Sequence, residues 1–372
     1  MMLGAISMGA DVNCTREELV TALRSSQCKA VITNSSLLSK VTAAAKDCPY
    51  VKTIICVRSS KDEVLPEGVA AWEDAIQTHT GHFEKIKSSA DDPAFIQYQT
   101  GVPESRNGIV MSHKSISTMV KISTEYFSKY VYKRMFYDNK EGVYEPHSEH
   151  AILSMPFHHI FGFEHLNRIL LEGISGVIMT KSDPIQYLET IQKYKPKVVS
   201  MLPYLASFLL EDPVVAKYDL KSLEVVLIGG APFSEKLMVD FLRKYKHVRF
   251  MVPFYGWPEC GVGFMSPMKR RHGTATVLPT FHQKVVSTET GAALPFDVEG
   301  ELCLRSPTMM LGYMNNPEST SKVLDSEGWF HTGDIGVLDP AGQTTIVDRQ
   351  RVAKEVGSSQ MEQKAREQSL RL

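Results

Sequence analysis

Gly328-Trp-Phe-His-Thr-Gly-Asp334 is the stretch from which the fold of this chain is read most directly, together with Val347-Asp-Arg349 shortly after it. The first segment places an acid, Asp334, just after a glycine-containing turn, and a short apolar run follows. An isolated Asp after Gly is most often a turn former. The segments upstream therefore decide whether Asp334 belongs to an ordinary turn or to a binding site.

The composition limits the classes of protein to consider. The chain has 372 residues, of which 43% are hydrophobic and 22% charged, with a formal net charge of -1. These values are typical of a soluble globular protein and give no reason to expect nucleic acid or an anionic membrane as a partner. The longest mostly apolar stretch, residues 198–210, is too short for an integral membrane segment. None of the six cysteines is spaced for a Cys-x-x-Cys site, so reduced thiols in an intracellular protein are expected.

Strand-like and helical runs alternate through the first three quarters of the chain. This alternation predicts an α/β fold with mostly parallel sheets and helices on their faces. After about Thr276 the sequence pattern changes to short runs in which apolar and polar residues alternate, which include 281–287, 301–305, 309–314, 335–338 and 344–347. They predict a small antiparallel sheet or barrel. The predicted divisions are an α/β subdomain over 1–158, a second over 159–276, a small β subdomain over 277–347, and a polar tail over 348–372.

The loop from Tyr98 to Gly108 has glycine near both ends and joins two strands. Such a loop can hold phosphate on backbone N–H groups. Pro103 has no N–H to offer, however, and Glu104 brings a negative charge that would cost roughly 1–4 kcal/mol at about 4 Å from an anion. By itself the loop is an ordinary glycine-containing turn.

Three further segments follow in order. Pro156-Phe-His-His-Ile-Phe-Gly162 ends a strand and opens a helix, and its adjacent histidines point in different directions, so chelation of one metal by both is not expected. Val225-Val-Leu-Ile-Gly-Gly-Ala-Pro232 is a buried strand that ends in small residues, which let a flat ring approach the backbone. Tyr255-Gly-Trp-Pro-Glu-Cys260 places a carboxylate, Glu259, on a loop.

Taken in order, these segments resemble the adenylate-forming (AMP-binding) superfamily of acyl-CoA synthetases, 4-coumarate-CoA ligases and firefly luciferase. The resemblance implies two packed, mostly parallel sheets flanked by helices, with a small antiparallel β-barrel. It also implies that the chain begins inside the large N-terminal domain of that family and lacks its C-terminal lid domain. The implied ligands are ATP or AMP, Mg²⁺, coenzyme A and a small carboxylic acid.

The resemblance assigns roles residue by residue. The residues that would bind the nucleotide are Thr100, Gly101, Arg106, Gly108, Gly230, Ala231, Pro232, Tyr255, Gly256, Asp334 and Arg349. The residues that would line the acyl pocket are His158, His159, Phe161, Gly162 and Trp257. Glu259 would be catalytic as the Mg²⁺ ligand, and His159 would be the second catalytic candidate. In this family the Asp that matches Asp334 accepts hydrogen bonds from both ribose hydroxyls, which suits the two acceptor oxygens of a carboxylate.

The sequence also departs from the family pattern. Val102, Pro103 and Glu104 stand where Thr-Thr-Gly is expected, Asn107 replaces a Lys, and Pro258 replaces a Thr. Two functions therefore stay open: an ATP-dependent acyl-CoA ligase for a fatty or aromatic acid, or an inactive relative that still binds the nucleotide. The compartment is expected to be cytoplasm or peroxisome, and the oligomeric state is not predicted.

Overall fold

The chain forms two compact units. The computed structural model describes residues 4–77, 86–98, 108–133, 146–179, 183–231, 233–266 and 275–349. The first unit comprises Met1–His113 with Met310–Thr320, and the second comprises Lys114–Met309 with Ser321–Leu372. The predicted boundaries after residues 158, 276 and 347 stay predictions.

The strands alternate with helices through most of the chain. Within the described residues the strands are β1 (Ser7–Gly9), β2 (Ala30–Asn34), β3 (Thr53–Val57), β4 (Val69–Ala71), β5 (Pro93–Tyr98), β6 (Gly108–Ser112), β7 (His150–Leu153), β8 (Ser175–Ile178), β9 (Val198–Met201), β10 (Val225–Gly229), β11 (Phe250–Trp257), β12 (Gly261–Met265), β13 (Ala275–Val277), β14 (His282–Val286), β15 (Gly300–Arg305), β16 (Gly312–Tyr313), β17 (Phe330–Leu338) and β18 (Gln343–Arg349). The α-helices there are Arg16–Ser25, Ser35–Ala45, Trp72–Gln77, His113–Tyr126, Ile160–Glu172, Pro184–Tyr194, Pro203–Glu211, Glu235–Lys244 and Pro317–Val323. A π-helix, Phe127–Tyr132, continues the helix that ends at Tyr126.

The first unit contains two sheets. One has the strand order β1-β5-β6-β16, and the other is the parallel set β2-β3-β4. A capping box opens the helix Arg16–Ser25, since the Thr15 side chain accepts from the backbone of Glu18 and the Glu18 side chain accepts from the backbone of Thr15. The placement of residues 309–314 in the small antiparallel part was wrong. Only Gly312 and Tyr313 form a strand there, and it pairs with β6 in this first unit.

The second unit contains the parallel pair β7-β8 and a nine-stranded sheet. The order of the nine strands is β14-β15-β17-β18-β13-β12-β11-β10-β9. Strands β9, β10 and β11 pair in parallel, and all the other neighbouring pairs are antiparallel. The antiparallel strands predicted after Thr276 are thus present, and they continue the same sheet. In β10, Val225 and Leu227 face one hydrophobic core, whereas Val226 and Ile228 face another. All five residues of β10 are buried, and the chain emerges at Gly230.

The predicted α/β class, with helices flanking several sheets, is confirmed. The helices Pro184–Tyr194, Pro203–Glu211 and Glu235–Lys244 contribute buried residues to the core that Val226 and Ile228 face. The helix Ile160–Glu172 contributes Ile169 to the core on the other side. Among the helices described, none has the length and apolar character needed to span a bilayer.

Candidate functional site

The ends of two parallel strands bring the Gly-Gly-Ala segment next to the Tyr-Gly-Trp segment. β10 and β11 pair in parallel with Gly229 opposite Phe254, so the next residues, Gly230 and Tyr255, follow at the same edge. Gly230 has φ +81°, a backbone conformation that favours glycine, and it is exposed. A flat ligand can therefore approach the backbone at this bend.

Strand β11 is irregular just before Gly256. A β-bulge lies between Tyr255 and Gly256 where β11 pairs with β12. A Cβ at position 256 would lie 2.2 Å from the carbonyl oxygen of Gly261, so only glycine lets the two strands approach this closely. The bulge re-aims the side chains around it, which is a usual role of bulges beside binding sites.

Asp334 lies in β17, is buried, and contacts the Tyr255–Trp257 segment. Its Oδ2 accepts hydrogen bonds from the Tyr255 hydroxyl and from the Trp257 indole Nε1, the latter at 3.1 Å. The rings of Tyr255 and Trp257 meet edge to face, with their centroids 4.4 Å apart. Tyr255 follows the residue opposite Gly229, so this hydrogen-bond partner of Asp334 is next in the chain to the strand end beside Gly230. Arg349 faces Asp334 in the pairing of β17 with β18, and its side chain lies outside the described part of the chain.

Trp257 supports the carboxylate from the core. It is 7% exposed, and its ring packs edge-on against Phe264 and Phe330, each at 6.1 Å between centroids. The sequence assigned Trp257 to the acyl pocket, and that assignment stays a prediction. Its hydrogen bond to Asp334 was not anticipated, because no local pattern links residues 77 positions apart.

Glu259 lies in the turn between β11 and β12 and is fully buried. The turn is closed by a hydrogen bond from the backbone N–H of Cys260 to the carbonyl of Trp257, at 3.1 Å. A carboxylate oxygen is the type of ligand that Mg²⁺ prefers, so the donor chemistry of Glu259 fits that cation. Among the described residues, potential ligand atoms of Glu301, Cys303 and His331 also lie within 4.8 Å of one another.

The Phe-His-His-Ile-Phe-Gly segment opens the helix Ile160–Glu172 as predicted. His159 is the N-cap residue, and its Nδ1 accepts from the backbone N–H of Phe161 at 3.3 Å. The Phe161 ring packs on that of Phe254 with centroids 4.3 Å apart, which joins this helix to β11. His158 is half-buried in the turn just before the helix, and Gly162 lies in the first turn of the helix.

The stability of the folded chain should fall at acidic pH because of His159. Burial, reinforced by the neighbouring His158, lowers the pKa of His159 from 6.5 to about 4. Between these values the unfolded chain binds a proton that the folded chain does not, so stability is lost as the pH falls from about 6.5 towards 4. We expect thermal unfolding of a His159→Asn variant, which keeps an N-cap acceptor, to depend less on pH across this window, by up to ~3 kcal/mol. His282→Asn, at an exposed position, should behave as the wild type, and equal slopes in all three proteins would refute the role of His159.

Several predicted residues cannot be compared with the site. Thr100, Gly101, Arg106 and Pro232 lie outside the described residues. Gly108 begins β6, in the first unit. Ala231 follows Gly230 at the bend and is half-buried. The phosphate loop therefore stays a prediction.

Two groups of functional or structural side chains were missed from the sequence. Glu301 accepts from the Gly333 backbone N–H at 3.0 Å, just before Asp334. Arg168 is buried in the helix Ile160–Glu172, where it donates to Glu172 at 2.7 Å. The spacing of Arg168 and Glu172, four residues apart in one helix, is the signal that could have found this pair.

Comparisons with known proteins show the family of the chain. A family described as "AMP-binding enzyme" matches residues 1–314. The 4-coumarate:CoA ligase 1 of Petunia hybrida is 31% identical over 360 residues, which cover 93% of this chain and 62% of that protein. The chain thus spans about 62% of the length of the curated relatives it matches first.

Solved structures show the same fold. ATP-bound MatB from Rhodopseudomonas palustris has a TM-score of 0.75 and 22% identity, covering 92% of this chain and 63% of that chain. The luciferase-like enzyme of the nonluminescent Zophobas morio mealworm has a TM-score of 0.76 and 20% identity, covering 93% and 78%. At these identities the likeness concerns the fold alone.

Proposed function

We propose that this chain, which belongs to the family of AMP-binding enzymes, binds an adenosine nucleotide and carries the adenylate-forming half of an acyl-CoA ligase. The observation that carries the proposal is the contact of Asp334 with Tyr255 beside the Gly230 bend. The names of curated relatives that the chain matches, 4-coumarate-CoA ligases, support the ligase class. The acid would be fatty or aromatic, and coenzyme A would be the thiol.

Each group at the strand edge has a role in this proposal. The Asp334 carboxylate accepts hydrogen bonds from the ribose hydroxyls. Its orientation is fixed before the nucleotide binds by the hydrogen bonds that Tyr255 and Trp257 donate to it. The bend at Gly230 and the ring of Tyr255 offer flat surfaces to the adenine. Preorganised groups of this kind lower the entropy lost when the nucleotide is ordered.

The chemistry would take place where the α-phosphate lies. In the proposed step the carboxylate oxygen of the acid attacks the α-phosphorus of ATP, and pyrophosphate leaves. Glu259 would hold Mg²⁺, which neutralises phosphate charge when bound. The Phe161 and Phe254 rings would form an apolar wall for the acid. His159 is largely neutral at pH 7 because its pKa is lowered to about 4, so it would add no positive charge to this wall.

An inactive nucleotide-binding relative is the second candidate. The substitutions that favour it are Pro103, Glu104, Asn107 and Pro258, at positions where the family has donors to phosphate. Loss of one such donor typically lowers the rate by about two to three orders of magnitude. The two candidates share the nucleoside site and differ in the handling of the triphosphate.

Two measurements separate the candidates. Calorimetric titration with AMP tests the nucleoside site, and exchange of labelled pyrophosphate into ATP with a panel of fatty and aromatic acids tests adenylation. Exchange above background supports the ligase and excludes the inactive relative. AMP binding without exchange for any acid supports the inactive relative and excludes adenylation by this chain.

Restoring the family residues should strengthen triphosphate binding. The double change Pro258→Thr and Asn107→Lys returns a hydroxyl, a backbone N–H and a cation to the proposed phosphate path. We expect the affinity for ATP to rise by about tenfold relative to AMP, since hydrogen bonds to charged groups contribute ~1.5–3 kcal/mol. Pro213→Thr, at the start of a 3₁₀ helix away from these segments, serves as the control. An unchanged ratio of ATP to AMP affinity would argue against the assigned phosphate path.

A further inference from the structure

Asp334 lies at an irregular point of its strand. The pairing of β15 with β17 jumps from Glu301 opposite Ile335 to Cys303 opposite His331. An advance of two residues along β15 thus corresponds to four residues along β17. The regular hydrogen-bond ladder is interrupted over the residues that lead into Asp334, and other groups must fix the backbone there.

The side chain of Glu301 supplies hydrogen bonds where the regular backbone ladder is interrupted. Its Oε1 accepts from the backbone N–H of Gly333 at 3.0 Å, and its Oε2 lies 2.9 Å from Nδ1 of His331. One carboxylate therefore holds the residues on both sides of Thr332. Hydrogen bonds to a charged acceptor are stronger than those between neutral groups, which suits a fixed position.

Thr332 completes the arrangement beneath Asp334. It is fully buried, its hydroxyl donates to the carbonyl of Leu302 at 2.7 Å, and the same oxygen accepts from the backbone N–H of Asp334 at 3.1 Å. On the far side, His331 faces Asp325, with Nε2 3.7 Å from the carboxylate. The backbone from His331 to Asp334 is thus tied to β15 through side chains.

We infer that Glu301 is a positioning residue for Asp334. Resting on the proposed nucleotide site, the inference assigns to Glu301 the task of holding the 331–334 backbone so that the Asp334 carboxylate meets the ribose hydroxyls. Glu301 acts through Gly333 and His331 and does not itself touch the nucleotide. Its loss should therefore weaken recognition of the ribose while the contacts of the adenine persist.

The test compares AMP with its 2′-deoxy and 3′-deoxy analogues by calorimetry on the full chain. The wild type should prefer AMP over each analogue by about tenfold, the contribution of one hydrogen bond to a charged group. Glu301→Ala should bind AMP about 100-fold more weakly, because both hydroxyl contacts are lost, and bind all three nucleotides almost equally. Glu301→Gln, which retains an acceptor for Gly333 and a polar partner for His331, should restore most of the preference. Glu299→Ala, at an exposed position two residues before Glu301, is the matched control and should leave it unchanged.

The outcomes distinguish the inference from the proposed function. A wild type that binds AMP and the deoxy analogues equally would overturn the ribose site and the inference together. A preference that survives in Glu301→Ala would overturn the inference alone. If Glu301→Ala does not fold, Glu301→Asp keeps the charge but draws the carboxylate away from Gly333, and it should show the same loss of preference; a retained preference in that variant also overturns the inference.

Discussion

Replacing Asp334 with Asn is expected to weaken AMP binding about 100-fold, because two ribose hydroxyls would lose a charged acceptor. The Asn amide keeps one carbonyl oxygen, which can still accept from Tyr255 and Trp257 as Oδ2 does now. The fold should therefore persist, and circular dichroism should match the wild type. Calorimetric titration with AMP measures the effect.

Asp297→Asn is the matched control for this change. Asp297 is exposed in the same unit and has φ +62°, a conformation that Asn also adopts readily. Its affinity for AMP should equal that of the wild type. If Asp334→Asn bound AMP as tightly as the wild type, the carboxylate would have no part in nucleotide binding.

Replacing Glu172 with Ala is expected to cost about 3–5 kcal/mol of folding stability. Glu172 Oε2 accepts from Arg168 at 2.7 Å and from the Tyr132 hydroxyl at 3.1 Å, and the side chains of the ion pair are 4% and 7% exposed. The Arg168 guanidinium also lies over the Phe127 ring, 3.7 Å from its centroid. Removing the acid leaves a buried cation without its main counter-charge, and urea unfolding measures the loss.

The chain offers an exposed pair of the same spacing as the control. Lys121 and Glu125 are also four residues apart in a helix, at 3.9 Å, with side chains 75% and 63% exposed. Exposed pairs of this kind contribute at most a few tenths of a kcal/mol, so Glu125→Ala should be close to neutral. A loss below ~1 kcal/mol for Glu172→Ala would contradict the account of a buried, mutually dependent cluster.

Local features of the fold could be predicted from the sequence because a few neighbouring residues encode them. A helix N-cap needs only such neighbours, as at Ser234, whose hydroxyl accepts from the backbone N–H of Leu237 three positions on. The strand Val225–Gly229 is another, because its unbroken apolar run is what burial on both faces of a sheet requires. The Phe-His-His-Ile-Phe-Gly segment likewise predicted the start of a helix, and this helix runs from Ile160 to Glu172.

Features that depend on distant pairing could not be predicted in the same way. Gly312 pairs with Val110 across about two hundred positions of sequence, so its short run gave no sign of which sheet it joins. The same holds for the site. Asp334, Gly230 and Tyr255 could be named from family motifs, whereas the support from Trp257 and Glu301 depends on contacts that only the folded chain brings together.

A crystal structure of this chain with AMP tests the central claim most directly. The account predicts both ribose hydroxyls at ~2.6–3.2 Å from the Asp334 carboxylate, with the adenine against the Gly230 bend and the Tyr255 ring. A nucleotide bound elsewhere, or bound here with its ribose turned away from Asp334, would contradict it.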